Sequence, residues 1–127
     1  MAGAAAALAR VRAACLGLPE VTERLSHGAP TWFAAKKSMA MFHDDHHGDG
    51  RLAIWAAAPP GVQRDLVEQE PVRFFVPPYV GPRGWLGVRL DRSVDWDEVA
   101  DILEEAYRAV ATTRLLRQLD AGVHGDR

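Results

Sequence analysis

Tyr79-Val80-Gly81-Pro82-Arg83-Gly84-Trp85-Leu86-Gly87-Val88-Arg89-Leu90, then Asp91-Arg92-Ser93, then Val94-Asp95-Trp96-Asp97-Glu98-Val99, is the stretch that decides the fold. Gly81-Pro82-Arg83-Gly84 is turn chemistry, because proline presets φ and glycine tolerates positive φ. Residues 85–90 then alternate: Leu86, Val88 and Leu90 point one way, and Trp85, Gly87 and Arg89 the other, which predicts a strand. Trp96, Val99, Leu103, Ala106, Tyr107 and Val110 recur at steps of three and four and predict an amphipathic helix. Asp95 is its expected N-cap, with Glu98 completing a capping box and Val94 and Val99 placed to close a hydrophobic staple. A strand that turns at residues 91–93 and returns as a helix over the sheet is the unit the rest packs around.

Upstream, Leu8, Val11, Cys15 and Leu16 give residues 3–17 an apolar helical face, stopped by Gly17 and Pro19. Residues 18–23 read as a connector and 26–30 as a loop. Residues 31–35 and 39–43 form a hairpin about a turn at Lys36-Lys37-Ser38, and 51–57 a third strand. Residues 61–69 follow as a helix and 72–76 as a fourth strand between prolines. A short last helix is expected over 114–119. The short connections favour an antiparallel sheet of about five strands with helices mainly on one face, an α+β architecture. Residues 1–120 are expected to form one domain, and 121–127 a flexible C-terminal tail.

Composition narrows the function classes. The chain has 127 residues, 48% of them hydrophobic, enough for a core. No apolar run approaches the roughly 20 residues of a membrane helix, so no membrane partner is expected. A single cysteine, Cys15, permits no intrachain disulfide; a cytoplasmic setting and a small core residue are the expectations. The net charge of −2 does not announce a nucleic-acid binder. Six acids and Arg108 give the segment 95–108 a charge of −5, which leaves +3 for the remainder.

Four constellations carry candidate chemistry. Lys36 and Lys37 at a hairpin tip, with Arg51 at the base of the next, suit phosphate contact, although Asp44, Asp45 and Asp49 oppose them; the alternative is a pair of solvated turns. His43, His46 and His47 are of metal-ligating type, but their spacing matches no strong signature, and a polar hairpin loop is the alternative. Trp32, Trp55, Tyr79 and Trp85 lie on or beside strands, where a flat ligand can stack while Arg83 or Arg89 fixes a polar edge; the alternative is core packing. No nucleophile elbow, phosphate loop or Cys-x-x-Cys pair is present, so no catalytic residue and no cofactor is assigned.

The segments Leu18-Pro19-Glu20-Val21, His27-Gly28-Ala29-Pro30-Thr31-Trp32, Tyr79-Val80-Gly81-Pro82-Arg83-Gly84-Trp85-Leu86-Gly87-Val88, Asp95-Trp96-Asp97-Glu98-Val99 and Ala106-Tyr107-Arg108-Ala109-Val110-Ala111 resemble, in this order, the MmcQ/YjbR family. The resemblance implies a frataxin-like (CyaY-like) α+β fold. It also implies a non-enzymatic binding protein whose hairpins form a double wing for double-stranded DNA; Lys36, Lys37, Arg51 and Arg83 are the candidate contacts, on their charge and placement. Some members sit among antibiotic-production genes. That implies a small-molecule or resistance role as the other reading, for which Trp32, Trp55, Tyr79, Arg83 and Trp85 are the candidate residues for a planar or antibiotic-like ligand on the reading of the strands above. The chain departs from the family at Phe33-Ala34-Ala35-Lys36-Lys37-Ser38-Met39, where a glycine–lysine turn followed by an aromatic is usual.

Overall fold

The antiparallel β-sheet is built by two two-residue turns, one seven-residue hairpin loop and one crossover. A computed structural model describes residues 3–125. Helix α1 (Gly3–Leu16) leads into strands β1 (Val21–Ser26), β2 (Ala29–Ala34), β3 (Lys37–Asp44) and β4 (Leu52–Ala56). Helix α2 (Val62–Gln69), strand β5 (Phe74–Phe75), strand β6 (Leu86–Arg89) and helices α3 (Trp96–Val110) and α4 (Thr113–Gly125) follow. The sheet order is β1-β2-β3-β4-β6-β5, with antiparallel pairing throughout. Helix α2 carries the chain past β4 to the far edge, and β6 returns between β4 and β5.

The sheet has six strands rather than five because residues 21–26 pair with β2. Thr22, Glu23 and Arg24 give this segment little apolar alternation, which is why its sequence suggests a connector. The turn after it is His27-Gly28, both at positive φ (51° and 79°), the geometry that suits a two-residue hairpin loop. Strand β5 is shorter than expected, since Pro71 and Pro77 leave little room for ladder bonds. Helix α4 runs on to Gly125, past the expected end at Leu119. The expected tail 121–127 therefore falls partly in α4 and partly outside the described residues.

Register separates the side chains into two faces. Glu23, Trp32, Ala40, Ala56 and Leu86 lie in one cross-strand row, beside a second row of Phe42, Ile54, Val88 and Phe74. Helices α1 and α3 cover this face, through Ala7, Val11 and Cys15 of α1 and Val99, Leu103, Ala106 and Tyr107 of α3. Ala7 replaces the expected Leu16, which is exposed. Two polar anchors fix the layer. The carboxylate of Glu23 accepts two hydrogen bonds from Arg12 at 2.8 Å and one from Trp32 Nε1 at 2.9 Å. Tyr107 Oη donates to the Pro19 carbonyl at 2.9 Å. Burial of the apolar rows at about 25 cal/mol per Å² drives the layer together, and these anchors set its register.

Asp95 caps α3 as expected, its side chain accepting from the amides of Asp97 and Glu98. The capping box is only half made. Glu98 turns outward to Arg73 beside β5 instead of back to its own helix start. The helix thereby gains a tie to the far edge of the sheet.

Candidate functional site

The opposite face holds Thr31, Met41, Trp55, Gly87 and Phe75 in one row and His43, Ala53 and Arg89 in the next. Among the described residues no α-helix lies on its centre. Instead the β3–β4 loop, residues 45–51, and the segment 76–80 fold over it.

The loop owes its shape to its own acids. Asp45 and His47 take left-handed backbone (φ 59° and 49°), as do Gly48 and Gly50. Asp45 Oδ1 accepts from the Gly50 amide at 2.7 Å, Asp49 Oδ1 accepts from the Arg51 amide at 2.9 Å, and the Asp45 amide donates to the Arg51 carbonyl at 2.7 Å. Two carboxylates that looked like counter-charges to a phosphate site are thus spent on turn geometry. The result lays His46 back over the sheet.

His43 stacks on Trp55 with ring centroids 3.7 Å apart, and His46 stands edge-on to both at 4.8 Å. His47 lies 4.1 Å from His46 and Tyr79 6.0 Å from it, also edge-on. These five rings, with Met41, Val80 and His27, enclose a pocket of about 460 Å³, within the range of small-molecule sites. Tyr79 is exposed at its mouth and holds a φ of 64°, which a bulky residue adopts only where its surroundings impose it.

The walls are short of partners. Trp55 is 2% exposed and His43 8%, yet Trp55 Nε1, His43 Nε2 and His46 Nε2 make no hydrogen bond within the described structure. Burial first, then the neighbouring His46, pushes His43 down from 6.5 to about 4; Asp49 opposes and His47 adds. His43 is therefore a neutral imidazole at neutral pH. The lining contains no Lys, Arg, Asp or Glu.

The sequence-based candidates divide. Trp55, Tyr79, His43, His46 and His47 come together in this pocket. Trp32 does not: it lies on the helix face, fully buried and bonded to Glu23, because its register pairs it with Ala40 rather than with Met41. Trp85 and Arg83 also stand apart. The Arg83 guanidinium sits 5.1 Å from the Trp85 ring, and the Trp85 carbonyl accepts from Gln63. Arg89 is held by Asp91 in two hydrogen bonds of 2.9 Å. Among the described residues, no group of three or more His, Cys, Asp or Glu converges as a metal site, and the imidazoles pack edge to face. Missed in the sequence were His27, Met41 and Val80. Alternation within β3, which puts Met41 on the face of His43, was the available signal for Met41.

Lys36 and Lys37 are exposed at the β2–β3 turn. Arg51 lies at the other end of β3, about 23 Å away at a rise of ~3.3 Å per residue. Its guanidinium covers the Phe75 ring at 4.1 Å. The three cations do not form one patch. Ion pairs also engage Arg12, Arg73, Arg108 and Arg114, so much of the basic charge is neutralised internally.

An open antiparallel sheet with helices on one face and a looped-over pocket on the other defines an α+β protein with a partly enclosed surface cavity. A family model described as YjbR matches residues 16–109, and the chain belongs to the YjbR family. The fold is similar to the crystal structure of Deinococcus radiodurans protein DR2400, a DUF419 domain. The TM-score is 0.70 at 18% identity, covering 89% of this chain and 87% of that one. Among curated proteins none matches the chain. No helix among the described residues is long and apolar enough to cross a membrane.

Proposed function

We propose that this chain is a binding protein that holds a small planar molecule in the open-face pocket. The observation that carries the reading is the aromatic cavity itself, about 460 Å³ lined by Trp55, Tyr79 and four histidines and by no Lys, Arg, Asp or Glu. Aromatic walls add stacking with a flat ring. Amide-resolved NMR during titration with quinoline and isoquinolin-1-one tests it. Saturable shifts confined to residues around 41–47, 55 and 79–80 are expected. Shifts that never saturate, or that spread over the whole surface at millimolar ligand, refute it.

A second reading, double-stranded DNA, rests on the exposed Lys36 and Lys37 at a hairpin tip, neither of which forms an ion pair among the described residues. Fluorescence anisotropy of a labelled duplex at low salt, with Lys36→Ala and Lys37→Ala, decides it. Counterion release demands affinity that falls steeply with salt and falls again in the variants. No binding at low salt ends that reading.

A further inference from the structure

The two edges of the sheet are finished differently. Strand β5 is two residues long and lies between Pro71 and Pro77, so little of its outer edge can pair. Strand β1, at the opposite edge, is six residues long, holds no proline or lysine, and pairs in unbroken register with β2 alone. The turn at 27–28 closes on the Ser26–Ala29 pair, and the Ala35 amide donates to the Glu20 carbonyl at 3.3 Å. Even-numbered residues of β1 therefore exchange ladder bonds with β2. Val21, Glu23 and Leu25 turn their backbone groups outward. Of these groups the Val21 amide is engaged, donating to the Leu18 carbonyl at 3.4 Å.

The side chains beside this edge suit a copy of itself. Leu25 is 71% exposed. Arg24 does not guard the edge, because its guanidinium lies 3.9 Å from the Phe33 ring on the loop face. Glu23 points inward, which blocks an edge when the acid must lose its water uncompensated; here Arg12 and Trp32 already bind it. Arg12 commits Nε and Nη2 to that carboxylate, and its Nη1 donates to nothing among the described residues. Ala5, Ala9 and Leu16 share the Arg12 side of α1 at helical spacing, and all three are exposed and uncharged.

We propose that β1 is the interface for a second copy of this chain, joined antiparallel across a two-fold axis at Glu23, so that two sheets become one. Residues opposite each other in such a pair share a face, so odd must meet odd. Centring on Glu23 sets Leu25 opposite Val21 and Thr22 opposite Arg24. Centring on Arg24 opposes two arginines, which repel; centring on Thr22 carries Leu25 past the end of the other strand. With Glu23 on the axis, its amide and carbonyl bond those of the other Glu23, and each Leu25 amide donates to the other copy's Val21 carbonyl. The free Nη1 of each Arg12 meets the other copy's Glu23, so two arginines and two glutamates answer each other on the helix face. The pairing is closed and leaves no β1 edge for a third copy.

Sedimentation equilibrium of the full chain from about 1 to about 500 μM reads the association, since so short an edge implies micromolar rather than nanomolar affinity. Mass should rise from one chain to two and stop. Leu25→Pro removes only an outward amide and no bond to β2, while Leu25→Lys keeps the amide and sets a charge against Val21. Each should weaken the dimer at least about tenfold, with the urea midpoint of the dilute chain unchanged. Where Leu25→Pro does not fold, Leu25→Lys carries the test alone. Amide exchange should slow with concentration most at Glu23 and Leu25. A chain that stays monomeric throughout, a dimer that Leu25→Lys leaves intact, or a mass that climbs past two chains overturns the proposal. Slowing centred on another element overturns it as well.

Discussion

Acid should unfold this protein earlier than its carboxylates require, and His43 is the reason. Burial holds its folded-state value near 4, against 6.5 for an ordinary histidine. Above about pH 6.5 neither the folded nor the unfolded chain carries the proton, and His43 adds no pH dependence. Between 6.5 and 4 the unfolded chain takes a proton that the folded chain refuses, so stability falls as pH falls. Below about 4 both states are protonated and the loss levels off. At about 1.4 kcal/mol per tenfold change in proton affinity, the full loss is about 3 kcal/mol, of which about 2 has appeared by pH 5. That is a large share of the 5–15 kcal/mol typical of a domain. The groups facing His43 are His46, His47, Asp49 and Trp55, with His27 across the pocket. Urea unfolding at pH 7.5 and pH 5.0 measures the loss in the natural chain and in His43→Phe, which keeps a ring against Trp55 but cannot titrate. The natural chain should lose about 2 kcal/mol more than the variant over that interval. Equal losses would show that His43 takes up its proton in the folded state and that the site is wetter than its 8% exposure implies.

Three further outcomes follow from local geometry. Gly87 lies under the Phe75 ring, and an added β-carbon would sit 2.5 Å from its edge carbons; Gly87→Ala should cost about 1–3 kcal/mol in urea unfolding, as overpacking does, and no loss would mean that the ring swings free. Ala35 holds a φ of 55° in the β2–β3 turn, so Ala35→Gly should raise the melting temperature by relieving up to about 1 kcal/mol of backbone strain; a lower melting temperature would refute the left-handed assignment. The Cys15 thiol is fully buried and pushed up to about 12, first by burial and then by Glu23; it should resist a thiol reagent in the native protein at pH 8 and react at once in urea, and rapid native modification would contradict the packing of α1.

The sequence was most legible where several local signals agreed. Strand β6 and helix α3 combine alternation, a helical apolar stripe and an aspartate cap, and all three are present. Strand β1 was illegible because its buried-side residue is an acid. Glu23 is tolerated beneath the helices only because Arg12 and Trp32, distant in sequence, both bind it. That same Arg12 contact holds the Glu23 carboxyl below its usual range. The aromatic candidates were read as one surface, but a β-bulge and the register between β2 and β3 put Trp32 and Trp55 on opposite faces. Period-two alternation assigns faces within a strand, not between strands, so the split could not be read without the pairing. The histidine loop was read as disorganised polar sequence. Its order comes from two aspartates turning inward to backbone amides, which residue type alone does not reveal.

The two faces of the sheet provide an internal comparison that bears on the site. Both bury a tryptophan to 2% exposure or less, and both bring polar atoms out of water. On the helix face each such atom has its partner: Trp32 Nε1 donates to Glu23, and Tyr107 Oη donates to Pro19. On the loop face Trp55 Nε1, His43 Nε2 and His46 Nε2 have none. A shortage of acceptors does not explain this, because Asp45 and Asp49 belong to the loop that covers those rings, yet both direct their oxygens to backbone amides. A face built for stability alone gains by replacing an orphaned indole N–H with an apolar ring of similar size. The asymmetry within one sheet therefore leaves unpartnered polar atoms buried beneath the cavity wall, and it is the aromatic cavity above them, without a Lys, Arg, Asp or Glu and with an exposed tyrosine at its mouth, that argues for a site.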